Sequence, residues 1–283
     1  MAMILITGAT GTIGSEVLRL LVERGERVRA VSRSPERLPP GLDVVRADFD
    51  DSGTLRLAMP GVKALFLLTA PAKPTPDHDL AVLDAAARTG VGKVVKLSAI
   101  GTGETIGDRT VGAWHLVAER AVRDSGLAWT VLRPSGFASN LLAFARPIAA
   151  GAPVPNLTGD ARQGVVDPRD VAAVAVEALT ASVHDGRTYA LTGPEPLSVP
   201  DQAAILASAL GRPVGTVDVP VDAARADMVG RGLDASAVDA MLTGVEWARA
   251  GHNAVVTGDV EEVLGRPATS FATWARDHLA AFR

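Results

Sequence analysis

The chain lacks cysteine altogether, and its 283 residues include one tyrosine. Without cysteine there are no disulfides, no thiolate nucleophile and no Cys-ligated zinc or iron–sulfur centre. The five histidines are widely dispersed and show no metal-ligand spacing, so no metal site is predicted. No apolar run approaches the ~20 residues that span a bilayer, and the N-terminus shows no signal-peptide pattern. We therefore expect a soluble, cytoplasmic protein with no membrane partner.

Charge and aromatic content narrow the class of protein further. The net charge is −4 and no basic run is present, which argues against direct binding to nucleic acid. Aromatic residues make up 4% of the chain and hydrophobic residues 47%, so the core must consist mainly of alanine, valine and leucine. The length suits one large domain, or one domain with a smaller lobe.

The first half of the chain alternates between two hydrophobic patterns. Short apolar runs predict strands over residues 3–6, 27–31, 43–46, 64–68, 93–97 and 128–132. Amphipathic segments predict helices over residues 14–24, 53–58, 77–89 and 111–125. Because parallel strands need crossover connections, this alternation predicts an α/β fold with a doubly wound parallel sheet.

Three glycines, Gly8, Gly11 and Gly14, follow the first predicted strand at three-residue spacing. Gly8 permits a tight exit from the strand, Gly11 lets a pyrophosphate approach the backbone, and Gly14 lets the helix pack closely. The phosphates are then held at the helix N-terminus, where Thr12 is expected to cap the helix. This arrangement predicts a Rossmann-type dinucleotide site. The loop residues expected at the cofactor are Gly8, Thr10, Gly11, Thr12, Ile13 and Gly14.

The second half has a looser pattern. Its predicted elements are a loop at 146–164, a helix at 171–180, a strand at 187–191, a helix at 200–210 and mostly helical segments over 220–283. We expect residues 1–150 to form the dinucleotide-binding Rossmann domain. Residues 151–283 are expected to form a smaller, mostly helical substrate lobe that is interleaved with it.

The residues after the second predicted strand indicate which dinucleotide binds. A carboxylate there accepts from the 2′-hydroxyl of NAD, whereas an arginine binds the 2′-phosphate of NADP. Arg33 occupies this place and no acidic residue lies between it and Glu36, so NADP(H) is the predicted cofactor. The alternative for Arg33 is that it is a plain surface charge. Asp48 either contacts the adenine amino group or only caps its turn. The other residues predicted at the cofactor are Ser34, Asp48, Phe49, Thr69, Ala70, Ser98, Pro134 and Phe137.

Taken together, these motifs resemble the NmrA-like branch of the atypical short-chain dehydrogenases/reductases. The matching segments are 7–14, 97–101, 130–134, 167–172 and 191–195, together with Arg33, Phe137 and Asn140. The resemblance covers nearly the whole chain. It implies an NADP(H)-binding fold whose members include quinone, dye and ene reductases, along with redox-sensing regulators that do no chemistry.

The chain departs from ordinary short-chain dehydrogenases at their catalytic pair. Those enzymes carry Tyr-x-x-x-Lys on the helix after strand five, but the only tyrosine here is Tyr189, far along the chain. General acid catalysis contributes roughly 10²–10⁴-fold, so alcohol–ketone interconversion is expected to be poor. Lys96 is not expected to serve catalysis, because no tyrosine is there for it to tune.

Two residues are candidates for the missing role. His115 lies near the family's tyrosine position, and Glu119 follows one helical turn later on the same face. A histidine beside a carboxylate could act as an acid near neutral pH. The alternative is that His115 packs and Glu119 is solvated. Ser98, at the end of strand five, either orients a substrate oxygen or bonds to the backbone.

Aromatic and amide side chains are candidates for the substrate site. Pro134 and Phe137 could press the nicotinamide ring into place, and Asn140 could make polar contacts to the ligand. Trp247, with Trp274 and Phe271, could wall an aromatic pocket. Core packing is the alternative for Phe137 and for these last three aromatic residues. The substrate residues predicted are His115, Phe137, Asn140 and Trp247.

The sequence favours an NADPH-dependent reductase that passes hydride to a quinone, conjugated enone, imine or similar acceptor. Such acceptors need little proton donation, so proximity and a dry pocket would carry catalysis. Two alternatives stay open: a non-catalytic NADP(H)-binding redox sensor, and a redox-neutral enzyme that recycles its cofactor. The expected partner is a small aromatic or conjugated molecule. The helix at 111–125 could pair with its copy in a homodimer, or it could be covered by the second lobe.

Overall fold

The computed structural model of the chain describes residues 2–283. The strands are β1 (Met3–Ile6), β2 (Arg27–Ser32), β3 (Asp43–Arg46), β4 (Val62–Leu67), β5 (Lys93–Leu97), β6 (Thr105–Ile106), β7 (Arg109–Thr110), β8 (Ala128–Pro134), β9 (Val154–Asn156), β10 (Arg187–Leu191) and β11 (Thr216–Asp218). The α-helices are α1 (Thr12–Glu23), α2 (Ser52–Ala58), α3 (Asp77–Ala87), α4 (Ala113–Asp124), α5 (Ala145–Ala149), α6 (Pro168–Thr180), α7 (Val199–Leu210), α8 (Val221–Gly230), α9 (Ala235–Arg249), α10 (Asp259–Leu264) and α11 (Phe271–Asp277). Short 3₁₀ helices cover Pro35–Arg37, Ala138–Phe144, Ser182–His184 and Leu279–Phe282.

Seven strands form one sheet in the order β10-β8-β5-β4-β1-β2-β3. The neighbours β1–β2, β2–β3, β1–β4, β4–β5 and β5–β8 run parallel. Strands β1 and β4 are apolar throughout their buried positions, as strands covered on both faces require. The predicted α/β fold with a doubly wound parallel sheet is confirmed.

The predicted elements of the first half all form, with ends that agree to within two residues. Helix α1 shows why: its buried positions recur with helical periodicity on one face. These buried residues are Ile13, Gly14, Val17, Leu18 and Leu21. The prediction of a loop over 146–164 is wrong in part, because α5 and β9 lie in this segment. Strand β9 is stabilised by parallel pairing with β11, which no local sequence pattern reveals.

The chain divides into two units, which are described separately. The first comprises the chain up to Ala99 together with Ala113–Arg133 and Val171–Tyr189, and the second comprises Ile100–Gly112, Pro134–Asp170 and Ala190–Arg283. The predicted single break at residue 150 differs from this division. Segment Val171–Tyr189 contacts β5 of the first unit, where Lys93 donates to the carbonyl oxygens of Ala178 and Ala181, at 3.2 and 2.6 Å.

The second unit has its own apolar core. Trp274 and Phe271 of α11 are buried there, with ring centroids 5.4 Å apart, and Phe282 packs edge-on against Trp274. Trp274 and Phe271 therefore pack in this core and do not form the wall of a substrate pocket. Across residues 2–283, no helix combines the length and the apolar character that a bilayer crossing requires.

Candidate cofactor and active site

The sheet order places the glycine loop where the strand sequence reverses. β1 lies between β4 and β2, so the carboxyl ends of β1 and β4 border the crevice in which this fold binds ligands. Thr7 fixes this edge: its hydroxyl lies 2.9 Å from the carbonyl oxygens of Phe66 and Leu68, and accepts from the Leu68 N–H at 2.8 Å. Gly8 follows with φ of 66°, and a Cβ there would lie 2.9 Å from the Leu68 side chain.

The loop geometry fits a pyrophosphate. A Cβ on Gly14 would lie 2.2 Å from the Gly8 carbonyl oxygen, so only glycine lets α1 pack against the loop. Gly11 is exposed, and its nearest obstacle to a Cβ is the same oxygen at 3.4 Å. Gly11 is also the N-cap of α1, which has no side-chain cap and no acidic residue in its first turn. The first amides of the helix and its positive end therefore remain available to an anion.

Two of the loop predictions need adjustment. Thr12 is the first residue of α1 and not its N-cap, because Gly11 occupies the N-cap position. Ile13 is 3% exposed, so its side chain belongs to the core and only its backbone can face a cofactor. Thr10 and Thr12 are exposed, as a phosphate contact requires.

Two guanidinium groups lie at the end of β2. Arg33 is exposed and its side chain has no hydrogen-bond partner among residues 2–283. Arg46, opposite Ser32 in the β2–β3 register, donates to the Arg33 carbonyl oxygen at 2.7 Å and lies 3.4 Å from a Glu36 oxygen. Ser34 donates its N–H to the Ser32 hydroxyl at 3.0 Å. Arg46 could not be found from local sequence, because only the β2–β3 pairing brings it to this place.

The predicted adenine residues follow β3. Asp48 accepts from the Asp50 N–H at 3.2 Å, and its own N–H donates to Thr54 Oγ1 at 3.0 Å. Asp48 therefore caps its turn, whereas an adenine contact stays a prediction. The Phe49 ring packs at a tilt against the His78 ring, with the ring centroids 5.4 Å apart.

A buried polar group joins the ends of β4 and β5. Thr69 Oγ1 donates to Asp79 Oδ1 at 3.1 Å, and Asp79 Oδ2 lies 3.3 Å from Lys96 Nζ, which also donates to the Leu97 carbonyl oxygen. Burial raises the pKa of Asp79 and lowers the pKa of Lys96, although each charge opposes the shift of the other. The Thr69 hydroxyl therefore donates its proton to Asp79 and not to a ligand. Ala70, the next residue, is exposed.

A second polar cluster surrounds Glu119, which is fully buried on α4. Its Oε1 accepts from Ser98 Oγ at 2.5 Å and from Arg133 Nε at 2.9 Å. Its Oε2 accepts from Arg133 Nη2 at 2.7 Å and from Arg123 Nη2 at 2.9 Å. Burial raises the pKa of Glu119, but the hydrogen bonds from Arg133 and Ser98 outweigh it and leave the pKa below its usual value. The Ser98 side chain therefore donates to Glu119.

His115 sits one turn before Glu119, but the two do not form a catalytic pair. Both oxygens of Glu119 are bound by arginines, contrary to the expectation of a histidine–carboxylate acid. Burial and the nearby charge of Lys96 lower the pKa of His115 to about 3, so its imidazole is neutral at pH 7. Its Nδ1 is buried and has no hydrogen-bond partner within residues 2–283.

Tyr189 contacts His184 and Arg187 in the first unit. It lies in β10, is 2% exposed, and its hydroxyl is 2.9 Å from Nδ1 of His184. The guanidinium of Arg187 covers its ring at 5.2 Å. Tyr189 therefore has a structural role and does not replace the missing catalytic tyrosine.

In the second unit, Phe137 and Asn140 lie close together after β8. Phe137 is half-buried and bridges to Val166, while the Asn140 N–H donates to the Phe137 carbonyl oxygen at 3.0 Å. Asn140 is exposed, as a ligand contact requires. Pro134 is buried, and its carbonyl oxygen accepts from the Ile100 N–H at 2.9 Å. The roles of these residues at the nicotinamide and the substrate stay predictions.

Trp247 does not fit the predicted pocket wall. It is 3% exposed, packs with Val111, and donates from Nε1 to Glu104 at 2.9 Å. A Cβ on Gly101, which has φ of 74°, would lie 2.9 Å from its indole ring. Trp247 thus packs against the segment Ile100–Gly112, in a small apolar cluster separate from the one around Trp274.

Comparisons with known proteins agree with this geometry. The family model for NAD(P)H-binding proteins matches residues 8–182. The (4-alkanoyl-5-oxo-2,5-dihydrofuran-3-yl)methyl phosphate reductase of Streptomyces griseus is 42% identical over 99% of each chain. The NAD(P)H azoreductase of Xenophilus azovorans is 36% identical, again over 99% of each chain.

Solved structures show the same fold. An NADPH-dependent quinone oxidoreductase from Escherichia coli superimposes with a TM-score of 0.83 at 25% identity, covering 98% of this chain and 99% of its own. The triphenylmethane reductase of Citrobacter superimposes with a TM-score of 0.85 at 21% identity, over 99% of this chain and all of its own. The resemblance drawn from the sequence motifs is confirmed. The chain belongs to the NAD(P)H-binding family and is an NAD(P)H-dependent oxidoreductase.

Proposed function

We propose that this protein is an NADPH-dependent reductase of small, electron-poor conjugated acceptors, in particular α,β-unsaturated carbonyl compounds. NADPH supplies the hydride when it is bound. The hydride adds to the β-carbon of the acceptor, the C=C bond is reduced, and the electron pair moves onto the conjugated carbonyl as an enolate. Water then delivers the proton to the α-carbon.

The proposal rests on the protonation and hydrogen bonds of Ser98, Glu119 and His115, the candidate proton donors on or beside α4. The Ser98 hydroxyl proton is directed at Glu119, and Glu119 is held ionised by Arg133 and Arg123. His115 is neutral at pH 7. Reduction of an isolated ketone gives a localised alkoxide that needs a general acid, whereas an enolate spreads its charge and can wait for water. A conjugated acceptor therefore suits these residues better than a simple ketone.

His115 retains a role in this reaction. A neutral imidazole still has one N–H donor, and it can hydrogen bond to a developing enolate oxygen without giving up its proton. We assign this donor role to His115. The remaining catalysis rests on holding the acceptor close to the hydride donor.

The relatives support the same chemistry. The Streptomyces griseus reductase is named for a 2,5-dihydrofuran that carries an oxo and an alkanoyl group, a conjugated acceptor. The Xenophilus azovorans protein is named for an azo substrate and the Escherichia coli protein for a quinone. All three acceptor classes take up hydride into a conjugated system, which supports a conjugated acceptor for this chain.

A preference for NADPH over NADH is the second part of the proposal. Arg33 and Arg46 present two guanidinium groups at the end of β2, where the adenosine ribose is expected. Guanidinium groups bind phosphate oxygens bidentately, so a 2′-phosphate gains contacts that a 2′-hydroxyl cannot make.

The test follows NADPH absorbance anaerobically with matched acceptors, 2-cyclohexen-1-one against cyclohexanone, and with a quinone, menadione. We expect kcat/KM for the enone to exceed that for the saturated ketone by at least about 100-fold, the usual contribution of a general acid. Equal turnover of both ketones would show that an effective proton donor exists and would contradict the proposal. Binding of NADPH without turnover of any conjugated acceptor would contradict it as well.

A further inference from the structure

Side-chain bridges join the carboxyl ends of neighbouring strands in the first unit. Thr7, after β1, hydrogen bonds to both backbone groups of Leu68, which follows β4. Glu119 of α4 joins Ser98, which follows β5, to Arg133 in β8. Each bridge fixes the separation of two strand ends at the edge where the cofactor is expected.

A third bridge connects β4 to β5 and differs in its chemistry. Thr69, two residues beyond β4, bonds to Asp79, which in turn bonds to Lys96 of β5. Nζ of Lys96 also donates to the carbonyl oxygen of Leu97, the last residue of β5. The side chains of Asp79 and Lys96 are 2% and 0% exposed, so this bridge is an ion pair removed from water.

A buried ion pair is weak evidence for a stabilising role. Removing two charges from water costs free energy, and apolar residues of similar volume are often as stabilising or more so. The flanking β5 residues Val94 and Val95 show that apolar side chains suit this strand. Lys96 is also fully buried, so it cannot touch a substrate. The pair connects the main chain at the end of β5 to Thr69.

We propose that Asp79 and Lys96 are positioning residues that set the separation of the loops after β4 and β5, and thereby hold the nicotinamide half of the cofactor. The inference rests on the proposed use of NADPH. The adenosine ribose and its 2′-phosphate are expected at Arg33, after β2, whereas the Asp79–Lys96 pair joins β4 to β5 on the opposite side of β1. Loss of the bridge should therefore weaken binding of the whole dinucleotide but not of its adenosine half.

The experiment compares two probes, NADPH and 2′,5′-ADP, by titration against the full chain. The double variant Asp79→Leu with Lys96→Met replaces the ion pair with apolar side chains of similar volume. We expect it to melt within a few degrees of the native protein and to bind 2′,5′-ADP within twofold of native affinity. Its Kd for NADPH should rise by about tenfold or more. Native affinity for both probes, or an equal loss of both, would overturn the positioning role.

A second pair of variants keeps the test decisive if the double variant does not fold. Thr69→Val removes the hydroxyl that donates to Asp79 but keeps the shape of the side chain, and Thr69→Ser retains the hydroxyl. We expect Thr69→Val to raise the Kd of NADPH by at least threefold with 2′,5′-ADP unchanged, and Thr69→Ser to restore native affinity. Native NADPH binding by Thr69→Val would overturn the proposal. Since neither probe needs an acceptor, these results can be read even if the acceptor panel contradicts the proposed reaction.

Discussion

Oγ of Ser98 lies 2.5 Å from Oε1 of Glu119, and the guanidinium of Arg133 spans both oxygens of the same carboxylate. The serine hydroxyl has a single proton, and the ionised carboxylate can only accept it. Ser98 can therefore accept a hydrogen bond from a ligand but has no proton to offer to a substrate oxygen. Ser98, one residue beyond β5, thereby links that strand to α4.

The Glu119 cluster should contribute strongly to stability. Glu119→Gln leaves the Arg133 guanidinium without its charge partner, and breaking a fully buried pair costs about 3–5 kcal/mol. Because Arg133 is partly exposed, we expect a smaller loss of about 2 kcal/mol in the free energy of unfolding, measured by urea denaturation. The matched control is Asp84→Asn, which breaks an exposed ion pair with Arg88 and should change stability little. Equal effects of the two variants would refute the role of the cluster.

The same carboxylate should give a defined acid dependence. The pKa of Glu119 is lower in the folded chain than the 4.5 of the free side chain, so the unfolded state binds this proton first as pH falls. Its stabilising contribution is complete above pH 4.5 and is lost as the pH falls through the folded pKa. The difference in unfolding free energy between native protein and Glu119→Gln should be constant from pH 6 to 8 and shrink on further acidification. A difference that grows below pH 4.5 would contradict this assignment.

His115 should remain neutral throughout the working pH range. Its pKa is about 3 in the folded chain against 6.5 when unfolded, so the unfolded state takes up the proton below pH 6.5 and native stability falls with pH. Nitrogen-15 NMR of the histidines should show a neutral imidazole for His115 at pH 5. If His115 is a neutral donor, His115→Phe should lower kcat for 2-cyclohexen-1-one by roughly 10-fold to 100-fold, below the roughly 10²–10³ of a dedicated oxyanion-hole donor.

The pH profile separates this role from acid catalysis. His115→Gln retains an N–H donor and should recover part of the rate, with no change in the shape of the pH profile between pH 5 and 8. A native profile with an ionisation near pH 6.5 that disappears in His115→Phe would show that the imidazolium acts as an acid. The neutral-donor role would then be wrong.

Cofactor selectivity should depend on the two arginines at the end of β2. A hydrogen bond to a charged group is worth about 1.5–3 kcal/mol, so Arg33→Ala should raise the Kd of NADPH about 10-fold to 100-fold and leave that of NADH unchanged. Arg46→Ala should act in the same direction but less strongly, because Arg46 also bonds to the Arg33 backbone. Glu36→Gln frees Arg46 from its carboxylate partner and should tighten NADPH binding. Equal losses of NADPH and NADH affinity in Arg33→Ala would refute the 2′-phosphate assignment.

The parts of the fold that the sequence predicts well are those with a local signal. Apolar periodicity locates the elements of the first half to within two residues, because burial on the sheet dictates that pattern. The three-residue strands β9 and β11 carry too little pattern to be recognised, and only their pairing makes them strands. Trp247 shows the same limit: its helical spacing indicates a buried face but not which neighbours it packs against.

The polar bridges were predictable only where their partners are close in sequence. Glu119 and Arg123 are four residues apart on one helix, so this ion pair could have been found from spacing. Asp79 and Lys96 lie on different elements, and nothing local in the sequence joins them. The sequence offers Lys96 no tyrosine to tune, whereas the fold gives it Asp79 as a partner. Arg46 likewise contacts Arg33 only because β2 pairs with β3, and nothing local in the sequence shows this pairing.

The glycine loop separates folding from cofactor binding in a pair of matched variants. Gly14→Ala places a Cβ 2.2 Å from the Gly8 carbonyl oxygen, so α1 must shift away from the loop, and both thermal stability and NADPH binding should fall. Gly11→Ala meets the same oxygen at 3.4 Å with an extended φ of −93°, so the chain should fold with nearly native stability. Its methyl group nevertheless occupies the exposed face that a pyrophosphate must approach, and NADPH affinity should drop at least tenfold. Thermal melting and NADPH titration of both variants test this contrast. Native NADPH binding by Gly11→Ala would mean that the phosphates do not bind at this loop.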